Sequence, residues 1–325
     1  MTTSIVTGGA GFIGSHLCDR LLELDHRVVC VDNLCTGNRQ NVAHLEGNAR
    51  FTFRESDVRL PLHWTEPVDY IFHLASPASP VAYFQIPVET ATVNAVGTWE
   101  MLKLAQRTGA RFLLTSTSEI YGDPLQHPQT ESYWGNVSSI GPRSCYDEGK
   151  RFAEALTMSY HRANGLDVRI VRIFNTYGPR SDPNDGRMVP NFIKQSLQGR
   201  PLTVFGDGSQ TRSLCYVDDL VDGLMGVMFA ASGNGEAINL GNPDEHTILE
   251  YAELIKELTG SSSEIVMEPA REEEPMRRKP DITKAKVRLG WVPGTNLREG
   301  LTETVNWFRA LLAQPGSVSL AGGVE

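Results

Sequence analysis

A tyrosine and a lysine stand four positions apart at Tyr146 and Lys150, and their types and spacing can do acid–base chemistry. If the segment is helical, both side chains lie on one face, and the ammonium group lowers the tyrosine pKa from its ordinary value of about 10. The pair would then supply a base near neutral pH. By itself the spacing is weak, because a solvated helix in a chain with 9 tyrosines can carry such a pair without any function.

Hydroxyl side chains and a glutamate fill residues 115–119, directly after an apolar run typical of a strand. Side chains at the carboxyl ends of parallel strands point into the crevice where α/β proteins bind ligands. We therefore expect Thr117 and Glu119 to meet Tyr146 and Lys150 at one site. The alternative for Glu119 is an acid that is merely exposed at a strand end.

Three glycines, Gly8, Gly11 and Gly14, lie between the first strand-like run and a helical pattern that begins at Ser15. Glycine at these positions allows a tight turn, the close approach of a pyrophosphate and close packing of the helix on its strand. The spacing predicts a dinucleotide site at a strand-to-helix turn.

Asp32 ends the second predicted strand, at the distance where an acid meets the adenosine ribose of a dinucleotide. A carboxylate accepts a hydrogen bond from the ribose 2′-hydroxyl and repels a 2′-phosphate, so NAD is favoured over NADP. Arg39 is the nearest cation downstream, and because it could reach a 2′-phosphate, NADP stays an alternative. The alternative for Asp32 is a turn residue that caps a loop.

Composition narrows the function classes. The 325 residues carry a formal net charge of −9 without a basic block, so we expect no nucleic-acid partner. No apolar run reaches the roughly 20 residues that cross a bilayer, and the first strand begins almost at Met1, so we expect no membrane contact and a cytoplasmic location. The 5 cysteines are dispersed, which predicts neither a disulfide nor a metal site.

Strand-like runs alternate with helical stretches up to about residue 173, which predicts an α/β fold with a Rossmann-type doubly wound parallel sheet. Beyond this point prolines divide the pattern, and we expect a smaller C-terminal lobe that binds the substrate over the carboxyl edge of the sheet. We assign 1–173 to the NAD-binding domain, with 210–242 contributing back to it. Residues 174–209 and 243–313 form the lobe, and 314–325 a disordered tail.

Two of the predicted helices, at 93–107 and 146–163, bear on assembly. If both lie on the same flank of the sheet, their outer faces can pair with those of a second subunit in a four-helix arrangement. We therefore expect a homodimer.

Several strings, in the right order, carry a resemblance to a known family. They are TGGAGFIG at 7–14, TSTSEIYG at 115–122, YDEGK at 146–150, RIFNTYGP at 172–179 and GDGSQTR at 206–212. On these strings the chain resembles the extended short-chain dehydrogenase/reductases that act on nucleotide sugars, over roughly residues 4–310.

This resemblance implies that NAD oxidises the 4-hydroxyl of the sugar. Tyr146 would take the proton, Thr117 would hold the oxygen, and Lys150 would tune the tyrosine and hold the nicotinamide ribose. The resemblance also assigns cofactor contacts to the glycine turn and to the strand ends beside it, namely Gly8, Gly11, Phe12, Ile13, Asp32, Asn33, Asp57, Val58, Leu74 and Ala75.

The residue after Thr117 separates the fates of the resulting ketone. The 4,6-dehydratases of this family carry an Asp-Glu pair there, whereas this chain has Ser118 and Glu119. A serine hydroxyl is a poor general acid for a leaving hydroxide, so dehydration would lack its proton source. Decarboxylation has no such requirement.

Further strings are similar to those of the UDP-glucuronate decarboxylases, also called UDP-xylose synthases: HLASPASP at 73–80, RSCYDEGK at 143–150 and RKPD at 278–281. The resemblance implies NAD-dependent decarboxylation of UDP-glucuronic acid to UDP-xylose through a UDP-4-keto sugar, followed by reduction. The alternatives are a nucleotide-sugar 4-epimerase or 4,6-dehydratase of the same fold and, from another class, a non-catalytic NAD-binding regulatory protein.

Carried over residue by residue, the resemblance assigns the glucuronate carboxylate to Tyr83 and Arg143, and sugar contact to Ser118. It assigns decarboxylation and reprotonation of C5 to Glu119 and Arg278. Because arginine is a poor proton donor, we expect Arg278 to orient the carboxylate or a water and to stabilise the enolate.

The nucleotide half is also assigned by resemblance. Arg212 would bind the diphosphate with help from Asn175 and Arg187, and the strand containing Val204 would flank the base. Whether the nucleotide is UDP or dTDP stays open. Arg187 and Arg212 can instead be solvated surface charges, and Arg278 can instead belong to a surface ion-pair cluster with the glutamates at 272–274.

Overall fold

A computed structural model describes residues 1–270 and 277–313; the predicted tail at 314–325 and the glutamates at 272–274 lie outside the described residues. The strands, in chain order, are β1 (Thr3–Thr7), β2 (Arg27–Asp32), β3 (Phe51–Glu55), β4 (Tyr70–His73), β5 (Arg111–Thr117), β6 (Val168–Ile173), β7 (Thr176–Tyr177), β8 (Leu202–Phe205), β9 (Thr211–Ser213), β10 (Cys215–Tyr216), β11 (Glu236–Leu240), β12 (Glu245–Thr247), β13 (Ile265–Glu268) and β14 (Arg277–Arg278).

The α-helices are α1 (Phe12–Glu23), α2 (Pro80–Gln85), α3 (Pro87–Thr92), α4 (Thr98–Thr108), α5 (Ser144–Asn164), α6 (Met188–Leu197), α7 (Val217–Phe229), α8 (Ile248–Thr259), α9 (Thr283–Leu289) and α10 (Leu297–Leu312). A π-helix covers Val93–Gly97, and 3₁₀ helices cover Arg39–Leu45 and Ser118–Tyr121. None of the helices in the described ranges is long and apolar enough to cross a membrane.

Seven parallel strands form the central sheet in the order β11-β6-β5-β4-β1-β2-β3. Alternate side chains reach opposite faces, so that Phe112 and Leu114 of β5 pack on one side and Leu113 on the other. Helices α4 and α5 cover the first face, and α1 and α7 the second. The predicted Rossmann-type doubly wound fold is confirmed.

Three predicted helices differ from the observed ones at their starts, and the one predicted at 146–163 begins at Ser144, as α5. Helix α1 begins at Phe12 rather than at Ser15, because Gly11 is its extended N-cap residue and Gly14 already lies inside the helix. The helix predicted at 93–107 begins with the π-helix Val93–Gly97 and continues as α4. The strands predicted from apolar runs lie where expected. The runs of β1, β2 and β5 are buried on both faces of the sheet, whereas β3, at its edge, is only partly buried.

A separate apolar cluster, formed mainly by α6, α8, α10 and β8, makes the smaller lobe. Within the range 243–313 that we assigned to this lobe, α9 and the residues after it differ from the expectation. Ala285 and Trp291 are buried against the sheet-side core, and Trp291 Nε1 donates to the Asp219 carbonyl at 3.0 Å. The chain thus returns to the sheet after β14, before α10 rejoins the lobe.

We predict that Gly14→Ala lowers the free energy of unfolding by about 1–3 kcal/mol, the usual cost of overpacking. A Cβ at residue 14 would lie 2.2 Å from the Gly8 carbonyl oxygen, where only backbone could yield. The matched control is Gly226→Ala in α7, where an added Cβ meets nothing within 4 Å and a gain of about 0.5–1 kcal/mol is expected. Urea unfolding measures both, and a Gly14→Ala protein as stable as wild type would contradict this prediction.

Candidate active site

A cavity of about 1470 Å³ opens between the carboxyl edge of the sheet and the smaller lobe. Its wall includes Gly11 and Asp32 from the first two βα units, Thr117 from β5, and Phe205 and Arg212 from the lobe. A cavity of this size can hold a dinucleotide and a nucleotide sugar side by side. Most of the residues that the sequence singles out therefore meet in one place.

The glycine turn has the shape that a dinucleotide needs. Gly8 has φ +70°, and a Cβ there would lie 2.9 Å from the Ala75 backbone, so any side chain at this position would clash with that backbone. Gly11 then leads into α1, whose first backbone N–H groups and helix dipole favour an anion at this end. The residues present fit NAD.

Most of the other predicted cofactor contacts line the cavity: Phe12, Ile13, Asn33, Val58, Leu74 and Ala75. Asp57 does not line it. Its carboxylate accepts from the Arg59 guanidinium at 2.6 Å, and this hydrogen bond lowers the pKa of Asp57.

Asp32 lies buried at the end of β2. Its carboxylate accepts hydrogen bonds from the Ala10 N–H at 3.0 Å and the Leu34 N–H at 2.8 Å, while burial raises its pKa. Arg39, the cation that left NADP open, lies over the Phe53 ring at 4.5 Å and binds Glu46 at 3.0 Å. With that arginine engaged elsewhere, the carboxylate of Asp32 faces the ribose position alone, which favours NAD.

The acid–base group comes together as predicted, but its electrostatics differ. Thr117 and Tyr146 line the same part of the cavity, and Lys150 Nζ lies 6.0 Å from the tyrosine ring centre while donating to the Thr115 carbonyl at 2.9 Å. Burial raises the pKa of Tyr146 to about 12, although the Thr117 hydroxyl lowers it. Burial also lowers the pKa of Lys150 to about 7.

The expectation that Lys150 by itself brings the tyrosine pKa toward neutrality is therefore wrong. Desolvation disfavours both the phenolate and the ammonium, so the Tyr146 phenol keeps its proton near pH 7 and Lys150 is only partly protonated there. Additional positive charge beside Tyr146 is needed before its phenol loses a proton near pH 7.

Tyr83, on α2, lies flat against the acid–base group. Its ring stacks on that of Tyr146 with 5.3 Å between the centres and 7° between the planes. The Tyr83 hydroxyl is buried without a hydrogen-bond partner among the described residues, and burial raises its pKa. It is a neutral donor that a substrate oxygen can satisfy.

Glu119 holds two guanidinium groups at the cavity wall. Its Oε2 accepts from Arg143 at 2.8 Å and from Arg278 at 3.2 Å. Burial raises the pKa of Glu119, but the two arginines outweigh it and hold the pKa at about 2. Arg278 is only 6% exposed, which excludes the surface ion-pair cluster that the sequence left open.

One ionisable residue of this group, Asp147, was missed by the sequence analysis. It is buried, its Oδ1 has no hydrogen-bond partner among the described residues, and burial together with Glu119 raises its pKa to about 7. Its only signal in the sequence is its place directly after Tyr146.

The residues predicted for the nucleotide half divide. Arg212 is buried in the cavity wall, which excludes a solvated surface position, and Asn175 also lines the cavity. Arg187 also lines the cavity, but it is partly exposed and donates to the Ala78 carbonyl at 2.7 Å. Val204 is fully buried in the core of the lobe, and its side chain does not line the cavity.

The position of Val204 follows from strand geometry. Successive side chains of β8 point to opposite sides, so Thr203 and Phe205 reach the cavity while Val204 faces the core. Thr203 and Phe205 are therefore the residues of the predicted strand that face the cavity.

Comparisons with known proteins agree with the geometry. The chain is 55% identical over 305 residues to UDP-glucuronic acid decarboxylase 1 of Arabidopsis thaliana, covering 94% of this chain and 69% of the relative. It is 53% identical to the protein of the same name from Xenopus tropicalis, covering 94% of this chain and 72% of the relative.

Solved structures with the same fold include epimerases. UDP-glucose 4-epimerase from Thermotoga maritima is 34% identical with a TM-score of 0.87, covering 96% of this chain and 100% of that one. UDP-glucuronic acid 4-epimerase from Bacillus cereus, in complex with UDP-glucuronic acid and NAD, is 30% identical with a TM-score of 0.86, covering 95% and 100%. The profile of the NAD dependent epimerase/dehydratase family matches residues 4–241. The chain therefore belongs to the NAD-dependent epimerase/dehydratase family.

Proposed function

We propose that this protein converts UDP-glucuronic acid to UDP-xylose and carbon dioxide through a UDP-4-keto sugar. The observation that carries the proposal is the convergence of Arg143 and Arg278 on Glu119 in the wall that also holds Thr117 and Tyr146. Two guanidinium groups beside an alcohol-oxidising site suit a sugar that bears a carboxylate. The curated relatives named UDP-glucuronic acid decarboxylase support the same substrate.

Gly8, Gly11 and Asp32 would hold NAD, which when bound accepts hydride from C4 of the sugar and returns it at the end of the cycle. The remaining work belongs to the side chains around the sugar. Tyr146 removes the proton of the 4-hydroxyl, and the Thr117 hydroxyl donates a hydrogen bond to the same oxygen. Lys150, close to this phenol, adds positive charge when it is protonated.

Loss of carbon dioxide then needs orientation rather than an acid. In the 4-keto sugar the carboxylate is β to the carbonyl, so the electrons of the C5–C6 bond can pass into an enolate as carbon dioxide departs. Arg143 and Arg278 would turn the carboxylate until that bond stands perpendicular to the carbonyl plane. Their grip serves by orientation, because tight binding of the ground-state anion would oppose its departure.

The residue beside Thr117 cannot serve as the proton donor that a dehydration needs. Ser118 is buried in the cavity wall, and a hydroxyl there cannot protonate a leaving hydroxide efficiently near pH 7. Glu119 is ionised, so it does not itself carry the proton to C5. It can instead accept a hydrogen bond from the water that does.

We also propose that two copies associate through α4 and α5. Both helices pack on the same face of the sheet, as the homodimer hypothesis requires. Supporting it, Trp99 and Phe152 leave about half of their area exposed, at 48% and 51%, and Val96 is 37% exposed. Exposed large apolar residues on neighbouring helices are typical of a subunit contact. The cytoplasmic location stays a prediction.

The purified protein is expected to convert UDP-glucuronic acid to UDP-xylose with release of carbon dioxide and only catalytic NAD, because the hydride returns to the product. Mass spectrometry of the nucleotide sugars measures this, with UDP-glucose and dTDP-glucose as parallel substrates. Stoichiometric NADH without a pentose, or an epimerised hexose as the product, would refute the proposal.

Glu119→Gln is expected to lower the free energy of unfolding at pH 7 by about 3 kcal/mol, since it leaves two guanidinium groups without their carboxylate. The folded pKa of Glu119, about 2, lies below its ordinary 4.5, so the stabilisation is present above pH 4.5 and lost as the pH falls toward 2. The deficit of the variant should therefore shrink across that window.

Urea unfolding of the variant and wild type at several pH values measures this deficit. The matched control is Glu257→Gln, whose carboxylate binds Arg298 at 2.8 Å on the open surface and should matter little. A stability deficit for Glu119→Gln that does not change between pH 5 and pH 3 would contradict an ionised Glu119 bound by Arg143 and Arg278.

Analytical ultracentrifugation should find a dimer at micromolar concentration and a monomer for Trp99→Glu combined with Phe152→Glu, because buried charges oppose the apolar contact. Replacing the equally exposed Val292 by Glu controls for surface charge alone, since it lies outside α4 and α5. A monomeric wild type would end the homodimer proposal.

A further inference from the structure

We propose that Gln129 is a positioning residue for the loss of carbon dioxide, because it fixes the strand that carries Arg278 opposite Glu119. The inference rests on the proposed function. Gln129 lies outside the cavity wall and touches neither Glu119 nor the acid–base group. It acts through the segment 277–281, which we call the Arg278 strand.

The contact between Gln129 and the Arg278 strand uses main chain and side chain together. The Gln129 N–H donates to the Lys279 carbonyl at 2.9 Å, and the Asp281 N–H donates to the Gln129 carbonyl at 2.9 Å. The Lys279 N–H donates to Gln129 Oε1 at 3.0 Å. Lys279, the residue directly after Arg278, is therefore held at both its N–H and its carbonyl.

Gln129 is itself rigidly placed. It is completely buried, and its Nε2 donates to the Gln126 carbonyl at 2.7 Å, so both ends of the amide are bonded. Because a buried N–H without an acceptor is costly, loss of Oε1 would push Lys279 to move or to admit water. Either change shifts the neighbouring Arg278.

The same network reaches Glu119 from the other side. Asn239, in β11, donates through Nδ2 to the Gln129 carbonyl at 3.0 Å and accepts through Oδ1 from the Tyr121 hydroxyl at 2.7 Å. Tyr121 ends the 3₁₀ helix Ser118–Tyr121 that carries Glu119. The Asn239 amide, on β11 of the sheet, thus connects Gln129 to the 3₁₀ helix of Glu119 through the Tyr121 side chain.

The other edge of the Arg278 strand is held by the lobe. β14 pairs with β9 so that Arg278 stands beside Arg212, and Glu245 in β12 reaches the Lys279 ammonium at 3.8 Å. These contacts bring the Arg278 strand to the cavity, and Gln129 sets its register against the sheet. A shift of about 1 Å in a positioned group can cost on the order of 100-fold in rate.

The hydrogen bonds of Gln129 itself do not reach the oxidation site, which joins this network only where the Glu119 N–H donates to Thr117 Oγ1 at 3.2 Å. Thr117, Tyr146 and Lys150 are placed by β5 and α5, and their hydrogen bonds do not involve Gln129 or the Arg278 strand. Disturbing Gln129 should therefore slow the carbon–carbon cleavage while the preceding hydride transfer keeps its rate. A residue that merely stabilised the fold would slow both steps together.

The test compares Gln129→Met with wild type in single turnovers of UDP-glucuronic acid with bound NAD. Methionine keeps the volume but lacks the amide. We expect the rate of carbon dioxide release to fall about 10- to 100-fold. NADH absorbance should rise above its wild-type level because the keto sugar accumulates before it is decarboxylated. Affinity for UDP, measured by calorimetry, should not change.

The matched control is Gln126→Met, because the Gln126 side chain donates to Thr130 at 3.0 Å and not to the Arg278 strand. It should behave as wild type. If Gln129→Met is as active as wild type, or slows without accumulating NADH, the inference is overturned. If wild type itself releases no carbon dioxide, the proposed function fails and the inference falls with it.

A second variant, Gln129→Glu, keeps the test decisive should the methionine variant not fold. A protonated glutamic acid can still accept from the Lys279 N–H and donate to the Gln126 carbonyl, whereas the carboxylate cannot donate. Its rate of carbon dioxide release relative to wild type should therefore rise as the pH falls. A constant ratio across the pH range would overturn the inference.

Discussion

A single buried carboxylate, Glu119, organises the site by holding two guanidinium groups that come from distant parts of the chain. Arg143 lies at the start of α5, and Arg278 lies in β14, separated from Glu119 by 159 positions in sequence. Each charge would be costly to bury alone, so the three groups are stable inside the wall only together. The requirement for this ion pair therefore fixes where the Arg278 strand must run.

In the acid–base group beside it, burial acts on side chains that have no bonded counter-ion. Tyr146 and Lys150 are as deeply buried as the ion pair, yet neither has a counter-ion bonded to it, and desolvation moves both toward their neutral forms. His73, beneath them, follows the same rule, since burial holds its pKa near 3 and leaves it a neutral bridge between Thr7 and Thr98.

The scaffold does not by itself choose the reaction. Solved 4-epimerases from Thermotoga maritima and Bacillus cereus have the same fold, with TM-scores of 0.87 and 0.86, at only 34% and 30% identity. In this chain the carboxyl edge of that sheet brings Thr117, Tyr146 and Lys150 to the cavity. In the reaction that we propose, the fate of the oxidised sugar depends on a few side chains beside them, here Ser118 and the two arginines on Glu119.

Local patterns in the sequence determined the doubly wound sheet, the glycine turn and the meeting of Thr117, Tyr146 and Lys150. These features depend on contacts within one βα unit or at the common edge of parallel strands. The resemblance of whole strings supplied Arg143 and Arg278. Val204 was misplaced because its strand lies in the lobe, where no long alternation marks the buried face.

Only the tertiary structure decided the protonation of the site and the support of the Arg278 strand. A pKa depends on how completely burial removes water. Burial therefore raises the pKa of Tyr146, whereas the spacing of Tyr146 to Lys150 predicts that this pKa falls. Asp147, Gln129 and Asn239 carry no recognisable motif, and the hydrogen-bond partners of Gln129 and Asn239 lie up to 150 positions away. Such long-range hydrogen bonds exist only once the sheet and the lobe have packed together, so no local pattern can report them.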